Sequence, residues 1–191
     1  FGQPCLTNEK MILEYIKNVK AYLAENYYDG MFLVISQNDN IFPCRCPHCL
    51  ASDEADGKNP SGTFLRFVNQ IATALQKDYP YLKIVTNAYQ YTRNPPKKTR
   101  AAENVIIQLC NIECDFSHGH DQPQENQRFL KELKTWSNCS GRIHMTDYGT
   151  NFDAYYFPHP NFDALASRYR DFKENGVTGL LTINAHTNPC G

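Results

Sequence analysis

Residues 32–39 have the sequence Phe-Leu-Val-Ile-Ser-Gln-Asn-Asp, in which four apolar residues run directly into four polar ones. A short, continuous apolar run is typical of a strand that is buried on both faces of a parallel sheet. Polar side chains at the carboxyl end of such a strand lie where α/β proteins commonly bind their ligands. This stretch therefore predicts a buried parallel strand that ends at a binding site.

The segment after this strand contains three cysteines in six residues, Cys44-Arg-Cys46-Pro-His48-Cys49. Thiolates with this spacing can bind one tetrahedral zinc ion if a fourth ligand comes from elsewhere. Cys5 is our first candidate for the fourth ligand, and His48 is the second. A structural zinc ion is therefore the cofactor that we expect.

Two other interpretations of these cysteines remain open. The chain has eight cysteines, an even number that permits disulfides in a secreted protein. Alternatively, Cys46-Pro-His-Cys49 matches the dithiol of disulfide oxidases, although such a motif should open a helix and we expect a loop over residues 52–62. Zinc is favoured over disulfides, because three cysteines within six residues cannot easily pair with one another without strain.

Outside this segment, short apolar strands alternate with amphipathic helices. Strands are predicted at residues 31–36, 82–88, 104–110, 142–146 and 177–183, with a sixth just ahead of Cys5. Helices are predicted after the N-cap candidates Asn8 and Ser61, around residues 129–136, and over 162–172. This alternation predicts an α/β fold with a parallel sheet.

The sheet is predicted to belong to a (β/α) barrel of the TIM type. No Gly-rich phosphate loop follows any strand, so a doubly wound nucleotide-binding sheet is not favoured and no organic cofactor is expected. Polar and aromatic residues recur at the strand ends, where a barrel places its active site. Since a complete barrel needs roughly 250 residues, we expect residues 1–191 to be a single incomplete barrel domain of five or six strand–helix units, truncated at its amino end.

Charge and hydropathy exclude several kinds of partner. The net charge of −1 leaves no basic surface for a nucleic acid, so none is expected. No apolar run is long enough to span a membrane.

Several motifs taken together resemble the bacterial domain of unknown function 4838. They are Cys5-Leu-Thr-Asn, Ser36-Gln-Asn-Asp-Asn, the cysteine motif at 44–49, Ser61-Gly-Thr-Phe-Leu-Arg-Phe-Val-Asn, Ala88-Tyr-Gln-Tyr-Thr, Ile112-Glu-Cys-Asp-Phe-Ser-His and Asp147-Tyr-Gly-Thr-Asn-Phe. The resemblance implies a glycoside-hydrolase-like barrel from large exported polysaccharide-degrading proteins, often beside α-glucuronidase-like or hexosaminidase-like segments. It further implies a secreted, periplasmic or cell-surface location, neighbouring domains and a carbohydrate substrate.

Three carboxylates are candidates for catalysis, since glycoside hydrolysis commonly uses two carboxyl groups. Asp39, Glu113 and Asp147 each lie at or just beyond a predicted strand end. We assign Glu113 as the general acid, because its neighbours at 112, 114 and 116 are expected to desolvate it and raise its pKa. Asp39 or Asp147 is then the base or nucleophile.

Tyrosines and amides near the strand ends are candidates for binding the sugar, which needs flat apolar faces and fixed hydrogen-bonding groups. These residues are Gln37, Asn38, Tyr89, Tyr91, Tyr148 and Asn151, together with Tyr155 and Tyr156. The predicted function is hydrolysis of a polysaccharide or oligosaccharide. The alternative is a noncatalytic glycan-binding or scaffold barrel with a zinc or disulfide staple.

Overall fold

The computed structural model describes residues 2–152 and 157–184, so Tyr155 and Tyr156 lie outside the described residues. The described chain folds into five α-helices and five β-strands. The helices are α1 (Glu9–Asn26), α2 (Pro47–Ala55), α3 (Pro60–Gln76), α4 (Gln124–Cys139) and α5 (Phe162–Glu174). The strands are β1 (Phe32–Val34), β2 (Lys83–Ala88), β3 (Val105–Cys110), β4 (Ile143–Tyr148) and β5 (Val177–Ile183).

The five strands form one parallel sheet in the order β1-β2-β3-β4-β5. The predicted strands are confirmed, and their starts agree with the structure to within one residue. The prediction of a sixth strand just ahead of Cys5 was wrong, because the described residues there contain no strand. Gln3 hydrogen-bonds the loop after β1 instead.

The sheet curls into a half-barrel. Its order follows the chain without the reversal that marks a doubly wound sheet. Phe32 in β1 and His144 in β4 have ring centroids only 6.0 Å apart. In a flat sheet those strands would be about 14 Å apart, since neighbouring strands are spaced by about 4.8 Å. The side chains of the concave face therefore approach one another across the sheet.

The hydrophobic core lies between the convex face of the sheet and the helices. One cluster of buried residues joins four helices to alternate residues of the strands: Ile12, Phe67, Phe129, Phe172, Ile84, Ile107 and Met145. Because side chains alternate along a strand, the residues between these face the concave side. Gln108, Cys110, His144, Thr146 and Tyr148 belong to that second set.

Helices α2 and α3 differ from the sequence-based prediction. α2 occupies residues where a loop was expected, and it begins with Pro47, which is favoured in the first turn. α3 is capped by Asn59 rather than by Ser61, because the Asn59 side chain accepts from the Ser61 backbone N–H at 3.1 Å. The N-cap predicted at Asn8 is confirmed, and its side chain accepts from the Met11 N–H. Of the described helices, none has the length and apolarity needed to cross a membrane.

Candidate functional site

Residues from the ends of four neighbouring strands meet on the concave side of the sheet. Tyr89 follows β2 and lies beside Asp39, which follows β1. Tyr148 ends β4 and lies beside Cys110, which ends β3. We call Asp39, Tyr89, Cys110 and Tyr148 the concave cluster. Sequence reasoning missed Cys110, although its place two residues after Gln108 in a strand puts it on the same face.

Asp39 and Gln37 are held by the turn that follows Tyr89. The Gln37 amide donates to the Tyr89 carbonyl oxygen at 2.7 Å and to the Thr92 hydroxyl at 3.0 Å. The Gln90 amide donates to Asp39 Oδ1 at 2.8 Å. Gln90 has a φ of 51°, a region that non-glycine residues rarely adopt. The turn therefore positions its side chain against an exposed carboxylate.

The two tyrosines of the concave cluster keep their protons at neutral pH. Burial raises the pKa of Tyr89, and the charge of Asp39 adds to the rise. Burial also raises the pKa of Tyr148, and the neighbouring Cys110 thiol adds to that rise. The Tyr89 hydroxyl is therefore a hydrogen-bond donor beside the Asp39 carboxylate, and the Tyr148 hydroxyl lies beside the Cys110 thiol.

Glu113 lies in a different environment from the one that its neighbours in sequence led us to expect. Its side chain is 55% exposed and forms an ion pair with Arg93, whose own side chain is 6% exposed. Arg93 also donates from Nε to Glu132 Oε2 at 2.7 Å. The apolar residues at 112, 114 and 116 therefore do not bury this carboxyl group, and a buried guanidinium holds it instead.

Asp147 is buried under α5. It precedes Tyr148 in β4 and faces the opposite side of the sheet, with a side chain that is 1% exposed. Arg168 of α5 forms an ion pair with Asp147, and the Asn111 amide donates to Asp147 Oδ1 at 2.7 Å. The Arg168 guanidinium lies 4.5 Å from the centre of the Phe116 ring. Asp147 is thus separated from the concave cluster by the sheet.

The other predicted sugar-binding residues are dispersed. Tyr91 lines a small cavity with Cys44 and Cys49, and burial raises its pKa. Asn38 is exposed and donates to the Gly2 carbonyl oxygen at 3.1 Å. Asn151 is half-buried in the segment after β4. Of the six described candidates, Tyr89 and Tyr148 lie together, and Gln37 contacts the backbone of Tyr89.

Four cysteine side chains meet at the start of α2. The sulfur atoms of Cys5, Cys44, Cys46 and Cys49 all lie within 4.8 Å of one another. The Cys5 sulfur is 3.6 Å from that of Cys46 and 3.7 Å from that of Cys49. A disulfide would require about 2.05 Å, whereas four sulfurs around a zinc ion lie about 3.8 Å apart, given Zn–S distances near 2.3 Å. The donor set therefore fits a tetrahedral metal ion.

The surroundings of the four-cysteine cluster also suit metal binding. Cys46 is the N-cap of α2, and the backbone N–H of Cys49 lowers the pKa of Cys46 to about 6. Burial raises the pKa of Cys49 to about 12. The Thr7 hydroxyl lies 3.3 Å from the Cys49 sulfur and 3.5 Å from the Cys5 sulfur. This hydroxyl can orient ligand sulfurs from the second shell around an ion.

The Cys46-Pro-His-Cys49 motif opens a helix, contrary to the loop expected from the sequence. The other two thiols of the four-cysteine cluster favour a metal site over a redox dithiol. Cys5 and Cys44 lie close enough to join the same four-sulfur set. A pair of cysteines that exchanges disulfides would not require them.

The family model described as Domain of unknown function (DUF4838) matches residues 2–189. No curated protein and no solved structure matches the chain.

Proposed function

We propose that this chain, which belongs to the family described as Domain of unknown function (DUF4838), binds a carbohydrate and hydrolyses a glycosidic bond. We place the reaction at the carboxyl end of the sheet and treat the half-barrel as part of a TIM-type (β/α) barrel. In such barrels the loops at this end carry the active site. Following the resemblance, we further propose an exported protein with neighbouring domains.

The concave cluster is the observation that carries this proposal. Tyr89, which is half-buried, supplies an aromatic ring and a protonated hydroxyl, the buried Tyr148 packs beside it, and Asp39 supplies an exposed acceptor next to Gln90. Sugar rings are bound by stacking on aromatic faces while fixed polar groups bind their hydroxyls. The cluster offers both kinds of group on one face.

For catalysis we assign Glu113 as the general acid and Asp39 as its partner. Asp147 is engaged by Arg168 and Asn111 beneath α5, which suits an orienting role better than a nucleophilic one. Glu113 is paired with Arg93, so this pair must open when the substrate binds. Retention of configuration needs the two carboxyl groups about 5–5.5 Å apart and inversion about 6.5–9.5 Å.

The test is a panel of oligosaccharides with product detection, applied to Glu113→Gln and Asp39→Asn. Each variant keeps the shape of the side chain but removes the carboxyl group, so turnover should fall by roughly 10²- to 10⁴-fold while sugar binding survives. Glu103→Gln, at an exposed position, is the matched control. Unchanged turnover in Glu113→Gln would remove that residue from the mechanism.

A noncatalytic glycan-binding domain is the second candidate function. The ion pairs of Glu113 with Arg93 and of Asp147 with Arg168 favour it, because they give structural roles to two of the three candidate carboxylates. The same oligosaccharide panel distinguishes the two functions. Binding without any product would support the second candidate.

We also propose that the four-cysteine cluster binds one structural zinc ion. Four thiolates complete a tetrahedral shell, so the ion would crosslink the chain and leave no open position for a substrate. Elemental analysis should find about one zinc per chain, and Cys46→Ser should lower that content. Cys139→Ala, at a buried cysteine outside the cluster, should not. Disulfides between these cysteines with no metal would contradict the proposal.

A further inference from the structure

The segment formed by residues 2–7 lies between the four-cysteine cluster and the loop that carries Asp39. At one end, Cys5 contributes its sulfur to the cluster. At the other end, the Gln3 side chain forms four hydrogen bonds with the loop, one of them a long contact of 3.5 Å from Nε2 to the Asn40 carbonyl oxygen. Its Nε2 donates to the Asn38 carbonyl oxygen at 2.8 Å and to Asn40 Oδ1 at 3.0 Å, and its Oε1 accepts from the Asn38 N–H at 3.0 Å.

The loop held by Gln3 is the one that positions the candidate sugar site. Residues 35–46 connect β1 to α2 and contain neither helix nor strand. Two of their side chains contact the turn after β2. The Gln37 amide donates to the Tyr89 carbonyl oxygen, and Asp39 accepts from the Gln90 amide. A connecting loop without regular structure keeps considerable conformational entropy unless side chains restrain it. The contacts from Gln3 supply such a restraint next to Asp39.

The loop is also attached to the four-cysteine cluster at its far end, through Cys44 and Cys46. Both the loop and the segment that contacts it are therefore anchored in the same group of sulfurs. A metal ion bound there would fix the two anchors relative to each other. Without the ion, nothing covalent would join Cys5 to the loop.

We infer that residues 2–7 couple the two sites, so that metal binding at the four-cysteine cluster positions Asp39. Gln3 is the positioning residue in this segment. The inference rests on the zinc and carbohydrate sites proposed above. It adds that the two sites are coupled, so that metal loading tightens the carbohydrate site without the ion touching the sugar. Removal of the ion should loosen residues 36–43 while the centre of the sheet stays intact.

Amide hydrogen exchange measured by mass spectrometry tests the coupling. Zinc-loaded protein is compared with chelator-treated protein, and peptides covering residues 36–43 are followed beside peptides from β3. Exchange at 36–43 should become about tenfold faster without zinc, as expected for the loss of one or two hydrogen bonds. Exchange in β3 should not change. If the loop of zinc-loaded protein exchanges at the same rate after chelation, the coupling is wrong but the metal site stands. If the protein never binds zinc, both the metal site and the coupling are wrong.

Substitution of Gln3 separately tests whether its contacts hold the loop that carries Asp39. Gln3→Ala should accelerate exchange at the Asn38 amide, which donates to Gln3 Oε1, and should weaken sugar binding with zinc content unchanged. Gln3→Glu keeps that acceptor but loses the donor to Asn38 and Asn40, so protection at the Asn38 amide should be partly restored. Gln127→Ala is the matched control, because the Gln127 amide donates to a carbonyl of a distant loop. Unchanged exchange at Asn38 in Gln3→Ala would exclude the role of Gln3.

Discussion

Asp147 and Tyr148 show how a single residue of register decides the role of a side chain. The two are neighbours at the end of β4 and face opposite sides of the sheet. Tyr148 therefore joins the concave cluster, whereas Asp147 meets Arg168 of α5. In the printed sequence both follow the same buried run and look equally suited to a site.

The pair of Asp147 and Arg168 leads to a prediction about stability. Both side chains are at most 1% exposed, so Arg168→Met leaves a buried carboxylate without its counterion. We expect the free energy of unfolding to fall by about 3–5 kcal/mol, measured by urea denaturation. Arg128→Met is the control, because Arg128 is 63% exposed in its pair with Glu132 and should cost less than about 1 kcal/mol. Equal losses in the two variants would contradict a structural role for the buried pair.

At the scale of elements, Asp56 joins α2 and α3 to the loop ahead of β3. It caps the C-terminus of α2, and its Oδ1 accepts from the backbone N–H groups of Lys98 at 2.7 Å and Thr99 at 3.0 Å. Its Oδ2 accepts from the Thr99 hydroxyl at 2.6 Å and pairs with Arg66. A single carboxylate at the end of α2 thus satisfies donors from two other parts of the chain, α3 and the loop ahead of β3.

This arrangement predicts a stability that depends on pH. Burial raises the pKa of Asp56, but the hydrogen bonds from Thr99, Lys98 and Arg66 outweigh burial and hold that pKa well below its usual range. The Asp56 carboxylate therefore contributes fully to the free energy of unfolding above the unfolded-state pKa of about 3.9. This contribution is lost as the pH falls through the lower pKa of the folded state. Asp56→Asn should cost about 2–4 kcal/mol at pH 7, because an amide N–H₂ would face N–H donors.

The check is urea denaturation of wild type and Asp56→Asn at neutral pH and at several values below pH 4. The difference in unfolding free energy should shrink as the pH falls below 4, because Asp56 binds a proton in the unfolded state of the wild type at a higher pH than in the folded state. Asp29→Asn, at an exposed residue, should follow the wild-type curve. A difference that is independent of pH would show that the ionised carboxylate is not what stabilises this junction.

At the scale of the whole molecule, the half-barrel leaves apolar side chains exposed at both outer strands of the described sheet. Phe32 and Val34 of β1 are 53% and 62% exposed, and Leu180 and Leu181 of β5 are 46% and 52% exposed. Unpaired strand edges with exposed apolar residues favour association with another chain.

We therefore expect this chain to self-associate as its concentration rises, through the edges of the sheet. Val34→Lys and Leu181→Lys place a charge at each edge and should raise the monomer fraction in sedimentation experiments. Leu13→Lys is the control, because Leu13 is 67% exposed on α1, away from the sheet. If all three variants and the wild type associate equally, the sheet edges are not the contact.

The sequence by itself determined the strands, their parallel arrangement and the four cysteines of the cluster. Each of these depends on a local pattern: continuous apolar runs for buried strands, helical spacing for the segments between them, and C-x-C-x-x-C for a set of thiols. Helix α2 was missed because its nine residues carry no strong apolar periodicity. The choice of Cys5 over His48 as the fourth ligand agrees with the cluster of sulfur atoms.

Only the tertiary structure decided what surrounds each candidate carboxylate. Arg93 reaches Glu113 from the turn after β2, and Arg168 reaches Asp147 from α5, a separation of 20 and 21 residues along the chain. Such partners follow from the curl of the sheet and the packing of α5 against it, which no short-range pattern contains. Asp39 is exposed beside Tyr89, and the turn at Gln90 points an amide rather than a guanidinium at its carboxylate.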